Sequence, residues 1–192
     1  MRSRKDGSSP CMAGRRPGAA SAPWPRPEMT GMTPSTVEER LFRIEARNEI
    51  SDLVARYAHG ADRRNDPAMM QPLFHEDASW SAEGFATFHG ASAIAAGLAA
   101  IAAEEVLWSI HYMIAPYVEF AEDGRSARCR WYLWELSTMA HDAGAEDRWL
   151  GGWYDSIARY EDNLWKFASV KLDLRVQGVA TPPWSLKKAF DQ

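Results

Sequence analysis

The sequence has few cysteines. Only two occur among 192 residues, Cys11 in a stretch rich in Pro and Gly and Cys129 in a predicted strand. Two cysteines in such different settings provide neither a disulfide framework nor the spacing of a metal site. The cysteine content therefore does not indicate an oxidising compartment, and we expect the protein in the cytoplasm.

Long apolar runs and phosphate-binding loops are also missing. No run approaches the roughly 20 apolar residues of a membrane span, and residues 1–32 lack the continuous apolar stretch of a secretory signal. No Gly-x-Ser-x-Gly elbow or Gly-rich dinucleotide fingerprint occurs, and the five histidines lack metal-ligand spacing. We therefore expect no membrane partner, no metal and no other cofactor.

Proline and charge divide the sequence near residue 32. Six of the eleven prolines fall within residues 1–34, and residues 1–32 carry a net charge of +4 while the remainder carries −8. Prolines at this density do not sustain a helix or a central strand. Scattered basic residues without a recognition motif do not favour nucleic-acid binding, and the acidic remainder would repel a phosphate backbone. We expect a disordered extension over residues 1–32, or an upstream translation start, followed by one domain over residues 33–192.

The remaining residues predict helices first and strands afterwards. Ser35 and Glu38 have the spacing of a capping box, and apolar residues then recur at helical spacing as far as Arg64. A short helix from Pro67, a hairpin around Gly84 and an Ala-rich helix over residues 91–105 follow. Long strands are predicted from stretches rich in Trp, Tyr, Val and Ile, at residues 108–121, 126–140, 148–160 and 164–176. This order indicates an α+β fold with a curved sheet wrapped around the long first helix.

His111 stands out among the polar residues of the predicted strands. It lies in the run Ser-Ile-His-Tyr-Met, where period-two alternation places Ser109, His111 and Met113 on one face. If this face is concave, the imidazole points into a pocket. An ordinary buried or surface histidine is the alternative, which the strand pattern alone favours.

Asp62 and Tyr57 lie near the end of the first helix. A carboxylate at a helix C-terminus is unfavourable unless a cation such as a histidinium offsets it, although pairing with Arg63 or Arg64 is an equal alternative. Tyr57 precedes Asp62 by five residues, about 140° around the helix, so the two meet only at the edge of one pocket. A pair of Asp62 and His111 would fix the imidazole tautomer and leave the other ring nitrogen as a general base. Tyr57 would then donate to a substrate oxygen, or it simply packs in the core.

Weaker candidates lie on the same predicted strands. Glu135 is a lone carboxylate among aromatics, either a pocket group or an edge-strand charge, and Arg175 either binds a substrate oxygen or lies on a solvated face. The aromatic excess could line an apolar cavity for a ring-shaped ligand, although core packing is the alternative for most of these rings. The substrate-binding residues expected from these patterns are Glu135, Tyr154, Arg175, Trp80, Met113 and Leu133.

Several segments together resemble SnoaL-like proteins of the nuclear transport factor 2 superfold. The resemblance rests on Tyr57 with Asp62 and on residues 49–53, 108–112, 151–155 and 164–167. Within that group the chain is similar to the dehydratase and lyase branch, which includes scytalone dehydratase, bile acid 7α-dehydratase and hexachlorocyclohexane dehydrochlorinase. The resemblance implies a cone-shaped fold with a mixed or antiparallel sheet.

The resemblance also implies site residues. Asp62 and His111 match the catalytic pair of this branch, and Tyr57 matches a Tyr that precedes the Asp by five residues in bile acid 7α-dehydratase. A second strand histidine of scytalone dehydratase has no counterpart, because Ser137 or Glu135 stands there. The pocket Lys of the dehydrochlorinase corresponds to Tyr57, so dehydrohalogenation is not supported.

The expected activity is a cofactor-independent elimination, such as dehydration, on a hydrophobic ring substrate of the steroid or polyketide ketone type. Because this superfold serves several functions, two alternatives remain. One is a ring isomerase or cyclase, and the other is a non-catalytic ligand-binding protein or small subunit of a ring-hydroxylating dioxygenase. The resemblance further implies a homotrimer formed through the outer face of the sheet, with a dimer as the alternative.

Overall fold

A computed structural model describes residues 36–141 and 144–184 of the chain. The expected extension over residues 1–32 and the boundary at residue 33 lie outside this part. The described chain forms helices first and long strands afterwards, which confirms the predicted α+β class. The elements are α1 (Val37–Asp62), α2 (Pro67–Met70), a 3₁₀ turn (Gln71–Leu73), β1 (Phe74–Ala82), β2 (Ala86–His89), α3 (Ala91–Glu105), β3 (Val106–Phe120), β4 (Ser126–His141), β5 (Gly144–Glu161) and β6 (Leu164–Val179).

The six strands form one curved, unclosed sheet in the order β2-β1-β6-β5-β4-β3. All neighbouring pairs are antiparallel except β1 and β6, which run parallel, so the sheet is mixed as the family resemblance implied. β3 is an edge strand of the sheet. Within the described residues, no helix is long and apolar enough to cross a membrane.

The first helix begins one residue later than the sequence pattern indicated. The capping box consists of Thr36 and Glu39, not Ser35 and Glu38: the Thr36 hydroxyl accepts from the Glu39 N–H at 3.2 Å, and a Glu39 carboxylate oxygen accepts from the Thr36 N–H at 3.3 Å. Both pairs have the required spacing, and Glu39 is the residue that reaches the N3 position. The helix ends at Asp62, two residues before the predicted end at Arg64.

The core lies between α1 and the inner face of the sheet. The buried face of α1 follows helical spacing and includes Ala46, Ile50, Leu53, Val54 and Tyr57. These side chains pack against an aromatic cluster from four strands. Its members are Phe74, Trp131, Tyr154 and Phe167. Because the strands alternate, only one side of each contributes to this cluster.

The opposite face of the sheet carries large apolar side chains that are accessible in the single chain. Tyr112 is paired across strands with Trp134, and Ile114 with Tyr132, and all four are at least 43% exposed. Val176 on β6, 49% exposed and next to Gly151 and Trp134, adds to them. Apolar patches of this kind on a sheet face are commonly buried between subunits.

We therefore predict that copies of the chain associate through this outer face. Tyr132→Glu is expected to reduce the mass in solution from near a trimer to the 21.6 kDa of one chain, because a charge would be buried in the interface. Phe85→Glu, at an exposed aromatic in the β1–β2 hairpin, is the matched control and should leave the mass unchanged. Sedimentation equilibrium measures both. A wild-type mass near that of a dimer would contradict the trimer, and a monomeric wild type would contradict association altogether.

Candidate active site

Asp62 is held in place by the junction between α1 and α3. The two residues that follow the helix cap, Arg64 and Asn65, both have a left-handed backbone with φ of 58° and 55°. Such a conformation is unfavourable for residues with a Cβ, at about 1 kcal/mol or more each. It is stabilised by side-chain bonds to α3, from Arg64 Nη2 to the carbonyl of Ala102 at 3.2 Å and from Asn65 Nδ2 to that of Leu98 at 3.3 Å. The end of α1 is thereby fixed.

Asp62 contacts His111 twice through one oxygen. Its Oδ1 accepts from the His111 backbone N–H at 2.7 Å and lies 2.9 Å from the ring Nδ1. This places the proton on Nδ1, fixes the orientation of the ring and turns Nε2 away from α1. The two bonds also offset the unfavourable position of a carboxylate at a helix C-terminus. The structure thus brings Asp62 to His111, rather than to Arg63 or Arg64.

Glu135 lies on the other side of the same ring. It is the cross-strand partner of His111 on β4, and its Oε2 is 3.4 Å from Nε2. Burial alone would lower the pKa of His111, but the hydrogen bonds and negative charges of Asp62 and Glu135 outweigh it and raise that pKa to about 9. His111 is therefore a histidinium at neutral pH, held between two carboxylates.

Tyr57 belongs to a hydrogen-bonded group of aromatic side chains beside the cluster formed by Asp62, His111 and Glu135. Its hydroxyl oxygen accepts from Trp80 Nε1 at 2.8 Å, and Tyr154 also donates to it. A hydroxyl oxygen has two acceptor sites, so its own O–H remains as a donor. Burial, together with the nearby negative charge of Glu135, raises the pKa of Tyr57 to about 12, although the two donors lower it. Burial likewise raises the pKa of Tyr154 well above its ordinary value, so both stay protonated.

The exposure of the cluster shows which side reaches solvent. The side chains of His111 and Glu135 are 12% and 14% exposed, whereas that of Asp62 is 32% exposed. The cluster therefore opens at the C-terminal end of α1.

A separate surface depression of about 540 Å³ lies at the β1–β2 hairpin, lined by residues 81–87 and Lys171. Since none of the predicted site residues lines it, it has no part in the site.

The other predicted substrate-binding residues separate into two groups. Met113 and Leu133 are paired across β3 and β4 on the inner face, where Leu133 is buried and Met113 packs against the core. Arg175 does not join them. Its guanidinium pairs with Asp173 at 2.6 Å and lies 4.4 Å from the centre of the Trp153 ring, with half of its side chain exposed. No contact among the described residues connects Arg175 to His111. The half-exposed side chain of Arg175 fits the alternative of a solvated face.

Sequence reasoning missed the partnership of Glu135 with His111. Glu135 was expected to be a pocket group that binds substrate, with an edge-strand charge as the alternative, and the strand pattern gave it no partner. The register shift of β3 between Ile114 and Tyr117 sets this pairing. Pro116 within the strand was the available signal, because a proline inside a strand marks an edge or a bulge.

Among the described residues, no group of three or more His, Cys, Asp or Glu side chains is arranged to hold a metal ion.

A family model for the SnoaL-like domain matches residues 43–171, and the chain belongs to this family. The predicted resemblance is thereby confirmed. No curated protein matched the sequence.

Solved structures are similar in fold. A type 2 hexachlorocyclohexane dehydrochlorinase is 20% identical with a TM-score of 0.71, over 79% of this chain and 99% of that one. A protein provisionally described as a scytalone dehydratase, from Novosphingobium aromaticivorans, is 19% identical with a TM-score of 0.62, over 79% and 94%. One provisionally described as an aromatic ring hydroxylase, from the same organism, is 25% identical with a TM-score of 0.61, over 71% and 94%.

Proposed function

We propose that the protein is a cofactor-independent lyase that removes water from a hydrophobic ring substrate carrying a carbonyl group. The observation that carries this proposal is the contact of Asp62 Oδ1 with both the backbone N–H and Nδ1 of His111. A ring fixed in this way has one nitrogen directed to the sheet interior, where it can exchange protons with a bound molecule. A steroid or polyketide type ketone is the proposed substrate class.

The surroundings of the ring suit such a substrate. Tyr57, whose oxygen accepts two hydrogen bonds, has a single O–H to donate and can stabilise the negative oxygen of an enolate. Met113 and Leu133 supply an apolar wall beside it. One similar structure is described as a hexachlorocyclohexane dehydrochlorinase and another, provisionally, as a scytalone dehydratase; both names denote eliminations, which is consistent with the proposal.

Replacement of His111 tests this function. The probe is 3-hydroxy-1-tetralone, a two-ring β-hydroxy ketone whose dehydration gives 1-naphthol, within a panel of β-hydroxy ketones of one to four rings. His111→Gln is expected to lower kcat by about 10²- to 10⁴-fold, the usual contribution of one acid–base group. His89→Gln, at an exposed histidine of β2, is the matched control and should behave as wild type. Undiminished turnover in a folded His111→Gln variant, or a wild type inactive on the whole panel, would overturn the proposal.

A second candidate is the small subunit of a ring-hydroxylating oxygenase. It is favoured by the similarity to the protein provisionally described as an aromatic ring hydroxylase. In this case the chain would co-purify with a larger oxygenase chain, and changes at Asp62 or His111 would leave the activity of that complex unchanged.

A ring isomerase would use the same cluster without a leaving group. Its product on a ring enone would be a shifted double bond.

A further inference from the structure

Both nitrogens of His111 already face carboxylates. Nδ1 lies 2.9 Å from Asp62 Oδ1 on α1, and Nε2 lies 3.4 Å from Glu135 Oε2 on β4. A general base needs a lone pair directed at the substrate proton. In this arrangement the accessible lone pairs belong to the carboxylates, while the ring presents N–H groups.

The two carboxylates differ in their surroundings. Asp62 Oδ1 accepts both the backbone N–H and Nδ1 of His111. Its position at the end of α1 is held by the adjoining loop. Glu135 has only the 3.4 Å contact to Nε2 among the contacts described, and its side chain is directed to the inner face beside Met113 and Leu133. Glu135 is therefore the carboxylate that combines a place on the inner face of the sheet with oxygens that accept no main-chain hydrogen bond among the contacts described.

We propose that Glu135 is the catalytic proton acceptor of this site and that His111 is the proton donor to the leaving group. This inference rests on the proposed elimination and assigns its two proton transfers to separate residues. Asp62 is then a positioning residue, which holds the imidazolium without touching the substrate.

The reaction balances with these groups alone. A Glu135 oxygen takes the proton from the carbon α to the carbonyl, and the C–H electron pair forms an enolate whose oxygen accepts the Tyr57 O–H. The enolate then expels the β-hydroxyl, which keeps the C–O electron pair, takes the proton from His111 Nε2 and leaves as water. Transfer of the proton from Glu135 to Nε2 across 3.4 Å restores both groups. One C–H and one C–O bond have become one C=C bond and water.

The charges around the ring favour this division of roles. The groups that face His111 are Asp62 from α1 and Glu135 from β4, with the Tyr57 and Tyr154 hydroxyls near Glu135. Two negative charges against one ring stabilise its protonated form, so the ring is a donor at the start of the reaction. After the reaction the neutral ring lies beside a protonated Glu135, and the negative charge of Asp62 favours transfer of that proton to Nε2, which restores both charges at the contact.

Hydrogen exchange at carbon separates the acceptor from the donor. 1-Tetralone has the same rings and carbonyl as 3-hydroxy-1-tetralone but no leaving group, so exchange of its α-hydrogen in D₂O requires the acceptor alone. Glu135→Gln is expected to lower enzyme-catalysed exchange by about 10²-fold or more, and His111→Gln to retain it within about 10-fold. With 3-hydroxy-1-tetralone, both variants should lose elimination.

Matched variants complete the experiment. Glu122→Gln makes the same change at an exposed turn and should exchange at the wild-type rate. Glu135→Asp keeps a carboxylate and should recover part of the exchange, which an unfolded variant would not do. The thermal midpoint of each variant confirms folding.

The outcomes separate the inference from the proposed function. Exchange lost in His111→Gln and kept in Glu135→Gln would make the ring the acceptor and overturn the inference while leaving the lyase intact. The same holds if Glu135→Gln eliminates at the wild-type rate. A wild type that does not accelerate exchange overturns the acceptor role. Exchange with the expected pattern but no elimination from any β-hydroxy ketone supports Glu135 and rejects the lyase in favour of an isomerase.

Discussion

Asp62→Asn is expected to reduce elimination by about 10³- to 10⁴-fold, because a neutral amide neither stabilises an imidazolium nor holds its orientation; the corresponding change behind the catalytic histidine of a serine protease costs about 10⁴-fold. The pKa of His111 should fall, since the bond to Asp62 is the first of the interactions that raise it. Steady-state kinetics measures the loss, and NMR titration of the His111 ring measures the pKa. Asp52→Asn, at an exposed position on the same helix, is the control.

The same substitution should alter the dependence of stability on pH. The pKa of His111 is raised from 6.5 to about 9 in the folded chain, so its contribution is fully present below pH 6.5 and is lost as the pH rises through 9. By linkage this contribution is about 3 kcal/mol, within a factor of two. Urea unfolding between pH 6 and 10 should therefore show a steeper decline for wild type than for Asp62→Asn. Equal slopes, or an active Asp62→Asn variant, would contradict the role given to Asp62.

Trp131→Ala is expected to lower the free energy of unfolding by about 3–5 kcal/mol, the usual cost of removing a buried tryptophan. Trp131 is 1% exposed and stacks on Tyr154 at 4.9 Å and on Phe167 at 5.6 Å between ring centres. Its removal leaves a cavity beneath Tyr57, which contacts it edge-on at 6.3 Å. The substitution should therefore lower the stability of the fold and also disturb the position of the Tyr57 hydroxyl.

Trp131→Phe is the matched variant for this prediction. It keeps an aromatic ring against Tyr154 and Phe167 and also removes an indole N–H that has no hydrogen-bond partner in the described structure. A buried donor without a partner is unfavourable, so this change should cost clearly less than the alanine. Urea unfolding at fixed pH measures both variants. If the two variants lose the same free energy of unfolding, the packing of an aromatic ring against Tyr154 and Phe167 is not what stabilises this part of the core.

The order of the elements was predictable because local signals repeat along each one. The Ala-rich helix was expected over residues 91–105, where α3 lies, and the four long strands were expected within a few residues of their bounds. Alternation also placed Ser109, His111 and Met113 on one face, and the structure has Ser109 buried and Met113 packed against the core. Periodicity depends only on which face is apolar, so it predicts elements well.

The partners of each polar residue were harder to predict, because they depend on register. Phe120 is paired with Ala127, and counting back from there without interruption would place Leu136 opposite His111. Ala115, at φ 55°, and the following Pro116 form a bulge that shifts the register by one residue and brings Glu135 opposite instead. A single extra residue thus decides whether the ring faces a carboxylate or an apolar side chain.

Arg175 shows the same limit on β6. Gly152 is paired with Leu174 and Gly151 with Val176, so one residue of β6 is extra at this point. A Cβ at Gly152 would lie 2.2 Å from the carbonyl oxygen of Asp173, so the close approach of the two strands requires glycine. Simple alternation cannot place Arg175 across such an irregularity, so the sequence left open whether it faces a pocket or solvent.

One of the two bonds that Asp62 makes to His111 comes from the main chain. Any residue other than proline at position 111 can supply that N–H, so the connection between the end of α1 and the edge strand does not depend on an imidazole. The chemistry and the architecture are therefore separable under mutation. A variant that exchanges the ring for another side chain can therefore abandon proton transfer and still keep the end of α1 joined to β3.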